Sequence, residues 1–133
     1  MRDVISAALG LAACLVIGDK PVSIALAFGM IAAAHFGKDF DGTNAMRIWK
    51  RDRSNHSSPN SAQTESACAG ALHIRLGGDA FYFGELYKKP TMGDPDRVPE
   101  VMDISRACSL MYMTGALLLA VFEFIGIAAA LIF

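Results

Sequence analysis

Apolar residues are concentrated at the two ends of this chain, and that distribution constrains its fold more than any other feature. Ala107–Phe133 is a run of 27 residues whose only charge is Glu123. A bilayer core is about 30 Å thick, and roughly 20 helical residues cross it. The run therefore predicts a C-terminal transmembrane helix, residues 107–133, with Tyr112 as an interfacial aromatic residue. Glu123 then lies near the far interface, where its carboxylate can reach water; a buried functional carboxylate is the alternative.

Two shorter uncharged runs lie near the other end of the chain. Val4–Ile17 and Val22–Phe36 are separated by Gly18-Asp19-Lys20-Pro21, in which the glycine and the proline favour a turn. The pattern fits a membrane hairpin of two tilted helical spans, residues 1–37, and also fits a re-entrant or partly buried pair; we favour the hairpin. The start of the chain is a poor match to a cleavable signal peptide, since its first two charges cancel.

The composition favours a membrane chain over an ordinary soluble domain. Hydrophobic residues make up 53% of the chain and charged residues 19%, whereas a typical soluble domain carries about 25% charged residues. The net charge of -1 gives no basic excess of the kind that nucleic-acid binding requires. The three cysteines are widely spaced, which predicts reduced thiols rather than a disulfide framework.

Residues 38–106 form a polar middle segment that holds ten of the twelve Lys and Arg residues. Five of these cations follow the second apolar run closely, and the positive-inside rule therefore places the segment in the cytoplasm. The sequence predicts an all-α membrane protein, in which the hairpin and the C-terminal helix flank a mostly helical or irregular cytoplasmic loop. The five cations are Lys38, Arg47, Lys50, Arg51 and Arg53.

The first helix predicted within the loop is Thr43–Arg53. Ala45, Ile48 and Trp49 share one of its faces, and basic residues cover the rest. We interpret it as an amphipathic helix in the lipid headgroup interface; a solvated surface helix is the alternative. The residues available as its N-cap are Asp41, Thr43 and Asn44.

The second predicted helix runs from about Ala62 to Ile74, and its many small residues indicate close packing against a neighbour. Asn60 or Ser61 can cap it, and Glu65 can close a capping box in its first turn. Gly77 or Gly78 can take the left-handed position that ends it.

The remainder of the loop is expected to be irregular but ordered, from Gly77 to Pro99. Within it, Ala80–Gly84 is short and aromatic and fits either a strand or a loop. Val101–Arg106 then leads into the last apolar helix.

One group of loop residues combines cationic side chains, hydroxyl groups and backbone N–H groups near a helix N-terminus. Those are the donors that an anion site requires. Alternatively, the polar residues are ordinary turn and cap residues, and the arginines face lipid phosphate. The three histidines have no metal-ligand spacing, and the sequence contains no H-E-x-x-H, P-loop, G-x-S-x-G or dinucleotide-binding motif. No catalytic or metal-ligating residue is therefore assigned. The candidate substrate- or phosphate-binding residues are Arg53, His56, Ser58, Asn60, Glu65, Arg75, Gly77 and Gly78.

A longer pattern runs from Trp49 to Gly93 with near-fixed spacing. Its segments are Arg51-Asp52-Arg53, His56, Ser58-Pro59-Asn60-Ser61, Glu65, Ala67, Ala69-Gly70-Ala71-Leu72, Arg75-Leu76-Gly77-Gly78, Tyr82-Phe83-Gly84, Lys89-Pro90 and Gly93-Asp94. In these residues the chain resembles the C-terminal part of the CobD/CbiB family of cobalamin-biosynthesis proteins. The lead into the last helix, Asp103-Ile104-Ser105-Arg106, is similar to that family as well.

The resemblance implies a multi-pass protein of the inner membrane with adenosylcobinamide-phosphate synthase activity. Such a synthase joins aminopropanol, or its O-phosphate, to the free carboxyl group of adenosylcobyric acid as an amide. The resemblance thus implies ATP and Mg²⁺ as cofactors, and a corrinoid and aminopropanol or its phosphate as substrates. It also favours the anion-site interpretation of the polar cluster, because phosphate charge must be neutralised during the reaction.

The resemblance covers only the C-terminal portion of a longer family protein. We therefore expect the missing N-terminal half, or a second copy of the chain, to complete the enzyme. Ala62, Gln63 and Thr64 depart from the glycine, the aromatic residue or histidine, and the proline of the family pattern, and His73 replaces a usual glycine. If the first glycine needs a positive φ, Ala62 strains the turn. A non-catalytic membrane regulator similar to AmpE, or a scaffold subunit, is the alternative function.

Overall fold

Helices account for most of the residues that the structure describes. The computed structural model describes residues 19–58 and 60–132. Its helices are α1 (Asp19–Phe36), α2 (Gly42–Asp52), α3 (Ser61–Leu72) and α4 (Val101–Ile132), and its strands are β1 (Leu76–Gly77), β2 (Ala80–Tyr82), β3 (Glu85–Tyr87) and β4 (Thr91–Met92). The prediction of a mostly helical chain is confirmed, and the strands add two small antiparallel pairs.

Helices α1, α2 and α3 share a core that consists largely of alanine side chains. At Gly70 of α3, a Cβ atom would lie 2.7 Å from the Cα atom of Ala45 in α2. Only glycine therefore allows the two helix backbones to approach this closely, and the predicted close packing of α3 is confirmed. The buried alanines of this core are Ala27, Ala33, Ala34, Ala45, Ala67 and Ala71.

The apolar face of α2 packs inside the protein. Trp49 is only 4% exposed, and its ring centroid lies 4.8 Å from that of Phe28 in α1. The prediction that this face lies in the lipid headgroup interface was therefore wrong. The prediction failed because α1 and α3 provide close-packed apolar contacts for this face. The periodicity of the α2 sequence is the same whether its apolar face contacts protein or lipid. The predicted N-cap is confirmed at Asp41, whose Oδ1 accepts a hydrogen bond from the N–H of Asn44 at 2.8 Å.

The ends of α3 differ from the prediction in detail. Asn60 occupies the N-cap position, but its side chain makes no capping hydrogen bond. Glu65 closes no capping box with any residue that the structure describes. At the other end, His73 takes the left-handed position with φ 54°. That position was expected at Gly77 or Gly78, which adopt positive φ further along the chain.

These backbone angles account for two departures from the family pattern. Ala62 lies inside α3 with its side chain fully buried, and it is not among the described residues with positive φ. Ala62 therefore causes no strain. His73, at a position where the resemblance leads us to expect glycine, occupies a left-handed conformation, in which a side chain is disfavoured by roughly 1–2 kcal/mol.

The strain at His73 leads to a prediction about two variants. Both His73→Ala and His73→Gly lose the imidazole, but only alanine keeps a Cβ in the left-handed conformation. We expect His73→Gly to be more stable than His73→Ala by about 1 kcal/mol. Thermal unfolding followed by the fluorescence of the single tryptophan, Trp49, measures the difference. Phe83, with φ 52°, should show the same alanine–glycine difference, and equal stabilities at His73 would contradict the prediction.

The segment predicted as irregular contains short paired strands. β2 and β3 form a hairpin whose turn residues, Phe83 and Gly84, both have positive φ, as tight hairpin turns require. β1 pairs with β4 in antiparallel register, with Gly77 opposite Thr91. This pairing brings the end of the loop back to the segment that follows α3.

Helix α4 runs without a break from Val101 to Ile132, as predicted, and is long and apolar enough to cross a membrane. It packs against α1, where Leu118 lies beside Gly29, and most of its remaining surface is exposed. Glu123 lies on that exposed surface. The run Val4–Ile17, the first arm of the predicted hairpin, lies outside the described residues.

Candidate functional site

The N-terminal end of α3 gathers four of the predicted binding residues: Arg53, His56, Ser58 and Asn60. The Nδ1 atom of His56 accepts a hydrogen bond from the backbone N–H of Ser58 at 2.8 Å. In the neutral ring the proton therefore lies on Nε2, which is left as a donor. The Asn60 side chain contacts the Ser23 hydroxyl at 3.4 Å instead of capping the helix.

Arg53 completes this group of donors. Its guanidinium lies 4.7 Å from the centroid of the Trp49 ring, and it forms no ion pair with any residue in the described ranges. The first N–H groups of a helix have no partner within the helix, and the helix dipole favours an anion beside them. The Arg53 guanidinium, His56 Nε2–H, Ser58 hydroxyl and first turn of α3 together form what we call the α3 donor group. Its chemistry suits a phosphate or carboxylate.

Gln63 holds the α3 donor group in place. Its Oε1 accepts a hydrogen bond from the indole N–H of Trp49 at 2.9 Å, and its Nε2 donates to the carbonyl of Arg53 at 3.4 Å. Gln63 is buried. Gln63, a residue at which the sequence departs from the pattern of the family that it resembles, therefore links the end of α2 to the start of α3.

The other predicted site residues lie elsewhere. Arg75, Gly77 and Gly78 follow the opposite end of α3, and the 12 residues of this helix rise about 18 Å. Glu65 lies within α3, with no hydrogen bond to a described residue. One link does join the two regions: Asn55 Nδ2 donates to the carbonyl of Thr91 at 3.2 Å, and Thr91 pairs with Gly77.

A network of arginines and aspartates fixes the loop onto α2. Arg51 donates to both oxygens of Asp52, at 2.7 and 2.8 Å, and to Asp94 at 2.7 Å. Arg47 also binds Asp94. Asp52 accepts the backbone N–H of Gly93 at 2.8 Å. Because their donors are already used on these carboxylates, Arg47 and Arg51 are less available to an external anion than Arg53 is.

These contacts shift the ionisation of the network. The Arg51 guanidinium, hydrogen-bonded to Asp52, holds the pKa of that carboxyl below its ordinary value. Hydrogen bonds from Arg47 and Arg51 lower the pKa of Asp94 as well, and the same contacts raise the pKa of Arg51. The network is therefore fully charged at neutral pH.

A second polar cluster lies at the C-terminal end of α3. His73 contacts Asp41 through Nε2 and Asp96 through Nδ1, both at 3.0 Å. The hydrogen bond from the N–H of Asn44 is the largest cause of the lowered pKa of Asp41, and His73 adds to it. Arg97 donates to the carbonyl of Leu72 and, through two nitrogens, to Asp103. Asp41, His73 and Arg97 are among the residues that line a cavity of about 520 Å³.

The described residues offer no cluster of three or more His, Cys, Asp or Glu side chains that could hold a metal ion. Of the cysteines, Cys68 and Cys108 are free thiols, and burial raises the pKa of Cys68 to about 11. Cys14 lies outside the described residues.

Sequence reasoning missed the acidic partners of the arginines. The ion pair between Arg51 and Asp94 joins residues 43 positions apart, and that between Arg47 and Asp94 spans 47 positions. Neither follows from local periodicity. The available signal was the placement of aspartates directly beside arginines and glycines, in Arg51-Asp52-Arg53 and Gly93-Asp94.

Three relatives show which known proteins the chain is similar to. The cobalamin biosynthesis protein CobD of Clostridium perfringens is 47% identical over 89 residues, which are 67% of this chain and 26% of that protein. CobD of Citrobacter koseri is 53% identical over 83 residues, 62% of this chain and 26% of that protein. CbiB of Salmonella paratyphi B is 53% identical over 81 residues, 61% of this chain and 25% of that protein.

The chain thus spans about a quarter of the length of the curated relatives that it matches. No solved structure matches it. The fold and the polar clusters define a class of mostly helical chain, in which clusters of ion-paired side chains lie next to a helix that is long enough to span a membrane. The family model described as CobD/Cbib protein matches residues 8–111. The chain belongs to the CobD/CbiB family.

Proposed function

We propose that this chain acts in cobalamin biosynthesis, as part of a synthase that joins aminopropanol or its O-phosphate to adenosylcobyric acid. The product is an amide, and ATP is consumed. The observation that carries this proposal is the identity of about one half to proteins named cobalamin biosynthesis protein CobD or CbiB. We also propose that the chain works in the inner membrane, with residues 38–106 in the cytoplasm.

The α3 donor group supports the chemical part of the proposal. A carboxylate does not form an amide until it is activated, most simply as an acyl phosphate, and the transferred phosphate must be stabilised by hydrogen-bond donors or cations. Arg53, His56 and Ser58 are donors without a carboxylate partner among the described residues. We propose that they bind phosphate oxygens of ATP or of the phosphorylated substrate.

The carboxylates of Asp52 and Asp94 do not suit Mg²⁺. Asp52 and Asp94 are occupied by arginines, and the described residues hold no convergent acidic group. No step is therefore assigned to Mg²⁺ on these residues. The part of the family protein that this chain does not span, or a second copy of the chain, would complete the site.

A chimeric protein tests the proposed function. The segment of Citrobacter koseri CobD that matches this chain is replaced by this chain's segment, and the chimera is expressed in a host lacking its own synthase. We expect growth that depends on cobalamin to be restored when adenosylcobyric acid is supplied. The unmodified relative is the positive control. Growth on the amide product alone, and not on adenosylcobyric acid, would contradict the proposal.

Variants of the chimera test the α3 donor group. We expect His56→Ala and Ser58→Ala each to lower the rate of amide formation at least about tenfold, because each removes a donor to phosphate. Ser54→Ala is the matched control, since Ser54 is exposed and makes no hydrogen bond to a described residue. The rate of product formation in membranes is the measurement. Tolerance of both variants in a growing chimera would show that the α3 donor group does not bind the reacting phosphate.

A further inference from the structure

The hairpin of β2 and β3 presents large apolar side chains to solvent. Every residue from 81 to 90 is exposed. Phe81 is 73% exposed, Leu86 is 50% exposed, and Phe83 is fully exposed. An isolated two-stranded hairpin is at best marginally stable in water, and it needs a further strand or a helix against one of its faces. The exposed hairpin therefore indicates a surface that packs against another part of an assembly.

The two faces of the hairpin differ in how much of them is covered. Directly opposite residues of an antiparallel pair lie on the same face. Phe81 is opposite Leu86, and Tyr82 is opposite Glu85. On the Tyr82 face, the rings of Tyr82 and Tyr87 meet edge to face with their centroids 5.6 Å apart, so the hairpin partly covers this face itself. The other face carries Phe81 and Leu86 and no charged side chain of either strand.

The turn of the hairpin is strained at its most exposed residue. Phe83 has φ 52°, a conformation that a bulky side chain rarely adopts, whereas asparagine, aspartate or glycine would hold the turn without this strain. Neither the exposure nor the backbone conformation of Phe83 stabilises the chain by itself. Its ring therefore indicates a contact outside the described residues. We call Phe81, Phe83 and Leu86 together the hairpin apolar surface.

The charge and the size of the hairpin apolar surface restrict what can cover it. Glu85 directly follows the turn and is exposed, so insertion of the turn into a bilayer would carry a carboxylate into hydrocarbon, which is costly. Two phenylalanine side chains and one leucine side chain expose on the order of 500 Å². A stable interface between separate proteins buries about 800 Å² on each partner. The occupant must therefore contact this chain elsewhere as well.

We propose that the hairpin apolar surface docks into an apolar groove on the part of the family protein that this chain does not span. The region that matches the family, residues 8–111, includes the hairpin. The match covers 26% of Citrobacter koseri CobD, so most of that protein is available to provide the groove and the further contacts. The proposal rests on the proposed completion of the enzyme by the rest of the family protein, but not on the amide-forming reaction.

Cysteine labelling tests the proposal by comparing the full chain alone with the chimera of Citrobacter koseri CobD, built to contain residues 80–90 of this chain. Phe83→Cys is treated in detergent with a water-soluble maleimide. Mass spectrometry locates the label, because the natural free cysteines also react. We expect Phe83→Cys to react at least about tenfold more slowly in the chimera than in the chain alone. Glu85→Cys, an exposed position on the other face, should react at the same rate in both.

A second measurement does not depend on the chimera. The full chain carries an affinity tag and is co-expressed with the rest of Citrobacter koseri CobD as a separate chain, and the amount of the second chain recovered in detergent is measured. Phe81→Thr removes the ring but keeps a residue that strands favour, and it should lower this recovery about tenfold. Glu85→Thr is the matched control and should leave the recovery unchanged.

Several outcomes would overturn the proposal. Equal labelling of Phe83→Cys in the chain and in the chimera, or equal recovery with Phe81→Thr and Glu85→Thr, would show that the rest of the family protein does not cover the hairpin. Protection in the chain alone that rises with protein concentration would assign the surface to a second copy. Protection of the chain alone by dioleoyl phosphatidylcholine vesicles would assign it to lipid. No substrate is present in these measurements, so their failure is distinguishable from a failure of the chimera to support growth.

Discussion

Replacing Gly93 with alanine is expected to destabilise the protein by about 3–4 kcal/mol, which is the largest effect that we expect of any single substitution. Gly93 has φ +86°, and a Cβ atom there would overlap the backbone carbonyl oxygen of Ile74. The left-handed conformation alone costs roughly 1–2 kcal/mol, and overpacking adds about 1–3 kcal/mol. The carbonyl cannot move aside easily, because Ile74 is buried and its N–H is bonded to Ala69.

Gly84 provides a control with almost the same backbone conformation. Its φ is +85°, but no atom lies within 4 Å of a Cβ placed there. Gly84→Ala should therefore cost only the conformational term, about 1–2 kcal/mol. Unfolding of both variants in detergent, followed by Trp49 fluorescence, gives the comparison. If the two variants lost the same stability, the contact between Gly93 and Ile74 would not be the cause.

The second large effect is expected for Asp52→Asn, at about 2–3 kcal/mol. Asp52 is 3% exposed, and its oxygens accept three hydrogen bonds from Arg51 and from the N–H of Gly93. Asparagine puts an NH₂ group where one of these acceptors was, which leaves a buried donor facing another donor. Asp39→Asn is the matched control, because Asp39 is exposed and makes no hydrogen bond to a described residue.

Acid separates this effect from a general loss of packing. The pKa of Asp52 is lowered in the folded protein relative to its ordinary value of 3.8. Its contribution to stability is therefore fully present above about pH 5 and is lost as the pH falls below the ordinary value. We expect the difference in Tm between the natural protein and Asp52→Asn to narrow between pH 5 and roughly pH 3. A difference that stays constant over this range would contradict the assignment to the charged carboxylate.

The elements that follow from local sequence were predicted well. The N-cap at Asp41, the existence of α2 and α3, and the unbroken α4 are confirmed because caps and apolar runs act over a few neighbouring residues. The burial of Trp49 was not predicted, because the sequence pattern of an apolar helical face is the same whether the face contacts lipid or another helix. The many alanines of α3 were the one sign in the sequence that another helix could pack against the apolar face of α2.

The predicted binding residues do not all lie in one place in the structure, and their role stays a prediction. The sequence indicated Arg53, His56, Ser58 and Asn60 as neighbours, and they do lie together at the start of α3. Arg75 follows the other end of that helix, and sequence spacing does not reveal this separation. Which arginines are neutralised by aspartates depends on the return of β4 beside α2. That contact is set by tertiary packing rather than by any local pattern.

The hydrogen bonds of Arg97 have a mechanical consequence. The Arg97 guanidinium donates hydrogen bonds both to the last carbonyl of α3, at Leu72, and to the carboxylate of Asp103 near the start of α4. Helix α4 continues without a break to Ile132. A change in the tilt of α4 would therefore move the end of α3 and His73, which lies beside it. The start of α4 and the end of α3 are therefore held in one fixed arrangement by a single side chain.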